Sequence, residues 1–191
     1  MAAVGIGILG SGKGSNCRAI LERVHDGSLC AEARLVVSDV FDAGILHIAR
    51  EFGVPNAYLP PGEFRTRLEP AAEHALVQML REAAVELVVL AGWMRILKAP
   101  TLQAYPHRII NIHPSLLPKF PGLEAWKQAL EARETVTGCT VHYVDEGVDT
   151  GEIIAQREVP MLPGDTPETL HARIQIAERE LYPEAISRFC E

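Results

Sequence analysis

The chain has 191 residues, of which 48% are hydrophobic and 23% charged, a composition that predicts a single globular domain over residues 1–191. Its formal net charge of −7 disfavours nucleic acid as a partner, and no apolar run approaches the roughly 18 residues that span a bilayer, so no membrane partner is expected. No targeting signal precedes the first strand and the four cysteines show no CxxC spacing, so we expect a reducing cytoplasm and neither a disulfide framework nor a zinc ribbon.

The first half of the chain alternates β-rich runs with amphipathic helical periods. The runs are VGIGIL, RLVVS and NAYL, and the helical periods begin near Ser15, Asp42 and Ala71. This alternation predicts βαβ units, and therefore an α/β fold with a doubly wound, mostly parallel sheet and helices on both faces. Ser15 or Asn16 is expected to cap the first helix and Asp42 the second, with Gly27 and Gly53 at their ends.

The second half is expected to extend this sheet and then close it. VELVVLAG, residues 85–92, is almost continuously apolar, as in a central strand covered on both faces, and RIINIH is its expected neighbour. CTVHYV and EIIAQREV alternate in polarity across a turn-like link, which predicts two antiparallel strands. The last helix should start near DTPE, with Asp165 or Thr166 as its cap and Pro167 in the first turn. Its core stripe is Leu170, Ile174, Ala177 and Leu181, and Pro183 is expected to kink or end it.

Three glycines formally match the GxGxxG pattern of dinucleotide-binding proteins. They are Gly5, Gly7 and Gly10, and Asp39 stands at the end of the second strand, where such proteins hold the ribose. The pattern should follow the first strand, however, and here the glycines lie largely inside it. A nicotinamide cofactor is therefore disfavoured.

A second glycine pattern, GSGKGSN at residues 10–16, does lie between strand and helix. Its glycines allow close backbone approach, and its amides and the following helix dipole suit an anion such as a phosphate. It is not a Walker A loop, because Gly14 rather than Ser or Thr follows Lys13. The sequence therefore favours a monophosphate site, with a tight capped turn as the structural alternative.

The stretch IINIHPSLLPKFPG places a histidine where regular structure stops. Asn111 and His113 are two residues apart on an extended strand, so they project to the same side, and Pro114 discourages a helix directly after them. Ligands of open α/β sheets bind at this end of the strands. An amide donor can stabilise an oxyanion and an imidazole can move a proton, which points to acyl transfer, although a structural histidine is the alternative. Ser115 lacks a GxSxG elbow and no cysteine adjoins a histidine, which favours direct transfer of the acyl group to an amine.

NIHPSLLP resembles the signature of the folate-dependent formyltransferases, which share an Asn, a His and a later Asp. The resemblance runs from the first strand to the final helix and is strongest to the members that act on phosphoribosylglycinamide in purine biosynthesis. It implies a formyltransferase fold with a Rossmann-like N-terminal half, and transfer of a formyl group from the co-substrate 10-formyltetrahydrofolate to the amine of phosphoribosylglycinamide. The resemblance implies that Asn111, His113 and Asp149 are catalytic, and that Asp149 holds His113 and raises its pKa.

The same resemblance assigns the binding of the amine substrate. SGKGSN corresponds to the family's substrate-phosphate loop, which implies phosphate binding by Gly14, Ser15 and Asn16. RIQIAE resembles the substrate-ribose segment, which implies contacts from Gln175 and Glu178. These two residues are three apart and therefore share one face of the final helix, for which a solvated polar face is the alternative.

The folate site is likewise implied by three segments. GWMRIL resembles the segment that lines the pterin pocket, FRTR the motif whose arginine reaches the folate tail, and VHYVDEGVDTG the loop that closes over the pterin. These imply folate binding by Met94, Arg95, Ile96, Leu97, Arg67, Asn111, Asp145, Glu146, Gly147 and Val148. A solvated charge is the alternative for Arg67, and His142 and Thr140 are either supporting residues or ordinary strand residues. The acidic residues of the last loop fit no EF-hand spacing, so no metal is expected.

Other functions remain open at this point. Formyltetrahydrofolate deformylase shares the histidine motif but lacks the phosphate loop, and methionyl-tRNA formyltransferase needs a basic RNA-binding surface that an acidic chain does not favour. A nucleotide-binding module would leave the Asn, His and Asp set without a role. The sequence leaves open the route of the amine proton and whether the chain forms a homodimer.

Overall fold

Strands and helices alternate through residues 3–190, which are the residues that the computed structural model describes. The strands are β1 (Val4–Leu9), β2 (Ala31–Ser38), β3 (Asn56–Tyr58), β4 (Leu87–Leu90), β5 (Ile109–His113), β6 (Val136–Tyr143) and β7 (Ile153–Pro160). The helices are α1 (Ser15–His25), α2 (Gly44–Glu51), α3 (Pro70–Glu82), α4 (Ala99–Ala104), α5 (Ala125–Glu131) and α6 (Pro167–Ser187). Among these residues, no helix has the length and apolar character needed to cross a membrane.

All seven strands form one sheet in the order β3-β2-β1-β4-β5-β6-β7. β1 to β5 pair in parallel, whereas β6 pairs antiparallel with both β5 and β7. The order reverses between β1 and β4, and the carboxyl ends of the parallel strands at such a reversal are where α/β sheets bind ligands. The predicted doubly wound, mostly parallel sheet with two antiparallel strands is confirmed.

Two hydrophobic clusters cover the two faces of the sheet. One joins the sheet to α1, α2 and α6, and the other joins it to α3 and the segment around α4. Within β4, Leu87 and Val89 belong to the first cluster, whereas Val88 and Leu90 belong to the second. Successive side chains of a strand point to opposite faces, so a central strand with helices on both sides must be apolar at every position.

The glycines inside β1 have a packing role rather than a role in cofactor binding. A Cβ at Gly5 would lie 2.9 Å from the carbonyl oxygen of Ala84, and one at Gly7 would lie 2.9 Å from Val85. The amide of Gly5 donates to the carboxylate of Glu86 at 2.7 Å. These close contacts require small residues at both positions. The match to the GxGxxG pattern is therefore explained by packing inside the strand.

The start of α1 differs from the sequence expectation. Gly14 is its N-cap, with a φ of 80°, and no side chain caps the helix, so neither Ser15 nor Asn16 does so. A Cβ at Gly14 would lie 2.9 Å from the Cα of Ile45 in α2. The left-handed backbone and this close approach both require glycine, which turns the chain into the helix without a side-chain cap.

The start of α2 also differs, whereas the ends of both helices follow the prediction. Ala43 is the N-cap of α2, and the expected cap, Asp42, instead forms an ion pair with His47 at 2.9 Å. Gly27 and Gly53 follow the last residues of α1 and α2 with φ values of 78° and 69°. Glycine at this position gives the left-handed turn that ends many helices.

α6 begins as the sequence predicts but does not stop at its proline. Thr166 is the N-cap, its hydroxyl accepts from the amide of Thr169 at 3.3 Å, and Pro167 is the first helical residue. The predicted core stripe is buried: Leu170, Ile174, Ala177 and Leu181. Of the two outcomes expected at Pro183, a kink or the end of the helix, the end is wrong, since the helix continues to Ser187.

Burial around Pro183 explains why the helix continues. Tyr182, Ala185 and Ile186 are fully buried, so packing against the sheet stabilises the turn that proline weakens. The hydroxyl of Tyr182 lies 2.9 Å from the carbonyl oxygen of Leu90 and 3.1 Å from that of Ile110, and it donates to them. α6 is therefore attached directly to β4 and β5.

Candidate active site

The Asn and His of the NIHPS motif lie at the end of β5, at the carboxyl edge of the parallel strands. β6 pairs antiparallel with β5, which places His142 opposite Asn111 and Thr140 opposite His113. The side-chain amide nitrogen of Asn111 lies 3.3 Å from Nε2 of His142. The Thr140 hydroxyl donates to the Ser115 carbonyl at 2.7 Å and so fixes the start of the loop that follows β5.

His113 is held on both ring nitrogens. Its Nε2 donates to the carbonyl oxygen of Phe120 at 2.8 Å, and its Nδ1 lies 3.3 Å from a carboxylate oxygen of Asp149. The other oxygen of Asp149 lies 3.5 Å from Nε2 of His142. The amide of Gly122 donates to Asp149 at 2.8 Å. The structure therefore brings the predicted Asn, His and Asp together and adds His142 to the set.

The pKa values of the histidine and the aspartate shift for different reasons. Burial lowers the pKa of His113, and the Phe120 carbonyl and the charge of Asp149 offset this only in part. Asp149 acts in the expected direction, since its charge raises the pKa of His113, but burial outweighs this contribution and the net shift is downward. Burial raises the pKa of the Asp149 carboxyl, but the contact with His142, the hydrogen bond from the Gly122 amide and the charge of His113 together outweigh it, so the net shift is downward. An ionised carboxylate thus faces an imidazole whose protonated form releases its proton more easily than that of an ordinary histidine.

The loop that carries Asp149 is shaped by its own side chains. Asp149 has a φ of 55°, in the left-handed region that aspartate tolerates better than most residues. The carboxylate of Asp145 accepts from the amide of Gly147 at 2.9 Å and from the hydroxyl of Thr150 at 2.7 Å. Asp145 therefore builds the turn that presents Asp149.

A cleft of about 560 Å³ opens beside this set. Its lining includes Asn111, His113 and Asp149, together with seven further residues that the resemblance assigned to the folate site. These seven are Met94, Arg95, Ile96, Leu97, Asp145, Gly147 and Val148. Glu146 and Arg67 are not among its lining residues; Glu146 is exposed, and the guanidinium of Arg67 lies 4.1 Å from the ring centre of Phe64. Sequence reasoning missed Trp126, an isolated aromatic residue that also lines the cleft.

The side chain of Arg95 is engaged behind the cleft. Its Nε forms an ion pair with Asp39 at 2.5 Å, and its guanidinium also donates to the carbonyl oxygen of Phe64 at 2.5 Å. The hydroxyl of Ser11 donates to Asp39 at 2.5 Å and accepts from the amide of Met94 at 3.0 Å. Asp39 is 6% exposed and fully engaged, so it cannot serve as the ribose ligand of a nicotinamide cofactor. The network instead joins the glycine loop to the cleft wall.

The glycine loop meets α6 on the other side of the site. The amide of Asn16 donates to the carboxylate of Glu178 at 3.0 Å, although the two residues are 162 positions apart. Glu178 is 7% exposed, so a solvated polar face is wrong for this residue. Burial raises the pKa of Glu178 to about 7, and the Asn16 hydrogen bond opposes this only in part. Gln175, one turn earlier, is half-buried, and its amide nitrogen lies 3.4 Å from a ring nitrogen of His171.

The groups that make up the site can now be stated together. Within residues 3–190, no cluster of three or more His, Cys, Asp or Glu side chains is arranged so that it could hold a metal ion. The site therefore consists of an Asn–His–Asp set, an apolar cleft and a glycine-rich helix start. Such a combination on an α/β sheet is typical of a transferase that moves an acyl-type group.

Comparison with known proteins identifies the family. The model of the formyl transferase family matches residues 5–186, and the chain belongs to this family. Phosphoribosylglycinamide formyltransferase of Bacillus subtilis (strain 168) is 44% identical over 181 residues, which cover 95% of this chain and 92% of that protein. The glycinamide ribonucleotide transformylase 1 structure from Symbiobacterium toebii is 48% identical, with a TM-score of 0.93, covering 98% of this chain and 87% of that one.

Some relatives are much longer than this chain. The trifunctional purine biosynthetic protein adenosine-3 of Drosophila pseudoobscura pseudoobscura is 49% identical over 186 residues, which cover 95% of this chain but 13% of that protein. The human protein of the same name is 40% identical over 181 residues, or 18% of its length. The similarity to these proteins is therefore to one segment of each.

Proposed function

We propose that the chain transfers the formyl group of 10-formyltetrahydrofolate to the amine of phosphoribosylglycinamide in de novo purine biosynthesis. The observation that carries this proposal is the His113–Asp149 pair, which lies with Asn111 in a cleft that has an apolar wall. The glycine loop, which is suited to a phosphate, is joined to that wall through Ser11. The names of the Bacillus and Symbiobacterium relatives support this choice of substrate.

Each substrate has its own part of the site in this proposal. The phosphate binds at Gly14, Ser15 and Asn16, and the ribose and glycinamide contact Gln175 and Glu178. The pterin lies in the cleft against Asn111 and two backbone segments, residues 94–97 and 145–148. Arg67 reaches the folate tail from outside the cleft. The formyl folate is consumed as a co-substrate, and the reaction needs no metal.

The transfer proceeds by direct attack. The glycinamide nitrogen bonds to the formyl carbon, which gives a tetrahedral intermediate with a negative oxygen. Asn111 has two amide protons, and only one is directed to His142, so the other can donate to this oxygen. His113, as imidazolium, stabilises the same charge with the Nε2–H that otherwise donates to Phe120, and it gives a proton to the folate nitrogen as the bond to that nitrogen breaks. The proton lost by the amine passes through water near Asp149 and returns to His113.

Asp149 keeps this site ready for charge development. Its ionised carboxylate favours the charged imidazole, whereas burial favours the neutral one, so the imidazolium forms but gives up its proton readily. We further propose that residues 1–191 act as a single formyltransferase domain in the cytoplasm, with small molecules rather than nucleic acid or membrane as partners. A homodimer is the oligomeric state to test by light scattering.

One assay separates this function from its alternatives. The purified protein is incubated with 10-formyltetrahydrofolate, with and without phosphoribosylglycinamide, and both the folate product and the formylated amine are measured. Formylated amine that appears only with both substrates supports the proposal. Release of formate without the amine would instead identify a deformylase, and absence of any turnover would favour a binding module.

A further inference from the structure

Two aromatic rings outside the Asn–His–Asp set lie flat against each other at the wall of the cleft. Trp126, on α5, lines the cleft, and its ring is parallel to that of His171 on α6, with 3.6 Å between ring centres and 4° between planes. Trp126 also packs against the core cluster that α6 completes, so its ring is held from behind. The stack therefore fixes the orientation of the His171 ring as well as its position.

The hydrogen bond that His171 makes indicates its tautomer. Its Nε2 lies 3.4 Å from the side-chain amide nitrogen of Gln175, one helical turn further along α6. In this amide orientation the Gln175 nitrogen donates and Nε2 of His171 accepts, which corresponds to a neutral imidazole with its proton on Nδ1. Burial lowers the pKa of His171, which favours this neutral form. With its NH₂ group directed to His171, Gln175 presents its carbonyl oxygen as a free acceptor.

The charged groups beside the stack act on one another. Lys127 follows Trp126 on α5 and forms an ion pair with Glu124, and it also interacts with Glu168 on α6. Burial is the cause of the lowered pKa of His171. The side-chain contact that orients the Gln175 amide is its hydrogen bond to the stacked ring.

We propose that Trp126 and His171 are positioning residues for the amine substrate, because they set the Gln175 amide so that its carbonyl oxygen accepts from a sugar hydroxyl. This inference rests on the proposed function, in which Gln175 binds the ribose. Glu178 lies on the next turn of the same helix and bonds to Asn16 of the glycine loop. The stack therefore extends the contact surface for the amine substrate from the glycine loop to the edge of the cleft.

The test separates the ring from its nitrogen. His171→Phe keeps a flat ring against Trp126 but removes the acceptor, and we expect it to raise KM for phosphoribosylglycinamide about twofold to tenfold, the value of one hydrogen bond. The kcat and the KM for 10-formyltetrahydrofolate should stay within about twofold. Trp126→Leu removes the stack and should raise the same KM, whereas Trp126→Phe should restore most of the loss. The control is Ile176→Ala, on the exposed side of α6, which should change none of these values.

A double-mutant cycle tests whether the effect passes through Gln175. Gln175→Ala alone should raise KM for the amine substrate, and adding His171→Phe should change it no further, because the partner is already absent. Independent, additive effects would overturn the inference, as would an unchanged KM in both His171→Phe and Trp126→Leu. If the unmodified protein transfers formyl groups normally, these outcomes refute only the inference. If it shows no amine-dependent transfer, the proposed function and the inference both fail.

Discussion

The glycine loop after β1 and the histidine loop after β5 end neighbouring parts of the same sheet, but they are built differently. The glycine loop, residues 10–16, owes its shape to a left-handed Gly14 and to close backbone packing against α2. The histidine loop depends on side chains that meet across segments, since Asp149 contacts both His113 and His142, while the Phe120 carbonyl holds the other ring nitrogen of His113. A binding site for a phosphate can be made from backbone amides, whereas proton transfer needs side chains at defined distances.

The largest effect is expected from removing the histidine of the side-chain site. His113→Ala should lower the rate of formyl transfer by about 10²–10⁴, because it removes the imidazole that is paired with both Asp149 and the Phe120 carbonyl. The rate is measured with both substrates at saturation. His74→Ala, an exposed histidine of α3, is the control and should retain activity within about twofold. Activity of His113→Ala within about threefold of the unmodified protein would remove this residue from the chemistry.

Asp149→Asn should have the next largest effect and should also move the pH profile. The variant keeps the shape of the carboxylate but removes its charge, so the imidazolium of His113 loses support and its pKa falls further below the ordinary value. In the proposed mechanism, activity is lost as pH rises through this pKa, so that limb of the rate profile should shift to lower pH. The maximal rate should fall about 10²-fold. An unshifted limb would contradict this role of Asp149.

Gly14→Ala tests the backbone site. The φ of 80° and the 2.9 Å approach to the Cα of Ile45 should together cost about 1–3 kcal/mol of unfolding free energy. The KM for phosphoribosylglycinamide should rise about tenfold, since an affinity loss of roughly 1.4 kcal/mol is tenfold. Gly53→Ala is a matched control, with a φ of 69° and no atom within 4 Å of the added Cβ. It should cost about 1 kcal/mol in urea melts without changing KM, and an equal effect on KM would refute a local role for Gly14.

The smallest effect concerns the contact between the glycine loop and α6. Glu178 has a pKa of about 7 in the folded protein against an ordinary value of 4.5, so the folded state binds its proton more tightly. Stability should therefore fall as pH rises from about 4.5 to about 7. Glu178→Gln keeps a partner for Asn16 but has no carboxyl group to titrate. It should therefore remove the part of the stability loss that is due to Glu178. Thermal melts of both proteins at pH 5 and pH 8 measure it, and parallel Tm changes would contradict the assignment.

The features of this structure that could be predicted from the sequence are those that depend on neighbouring residues in the chain. The alternation of β1 with α1 and α2, the core stripe of α6 and the Thr166 cap all follow from short-range periodicity and capping. The placement of Asn111 and His113 followed from their spacing on a strand and the proline after it. The residues that α6 contributes were assigned by family resemblance, since spacing alone left them on a solvated face.

Long-range contacts explain what the sequence did not reveal. α4 was not predicted, and its start is held by the buried carboxylate of Glu73, which accepts from the Lys98 amide 25 residues later. α5 was also missed, and with it the stacking of Trp126 on His171. The lowered pKa of His113 depends on burial by a loop whose path is set by tertiary packing. Each of these features depends on the distance between segments and not on a pattern within one.

The hydroxyl of Tyr182 can influence the proposed reaction through the position of the helix that carries it. Burial raises the pKa of Tyr182, so its hydroxyl keeps the proton that it donates to the carbonyls of Leu90 and Ile110. These hydrogen bonds fix the distance between α6, which carries the proposed ribose contacts, and β5, which carries His113. Two reactants held in attacking geometry behave as if each were present at a very high effective molarity, and a shift of about 1 Å can cost 10²-fold. In the proposed mechanism, that molarity depends in part on a phenol to which no substrate contact is assigned.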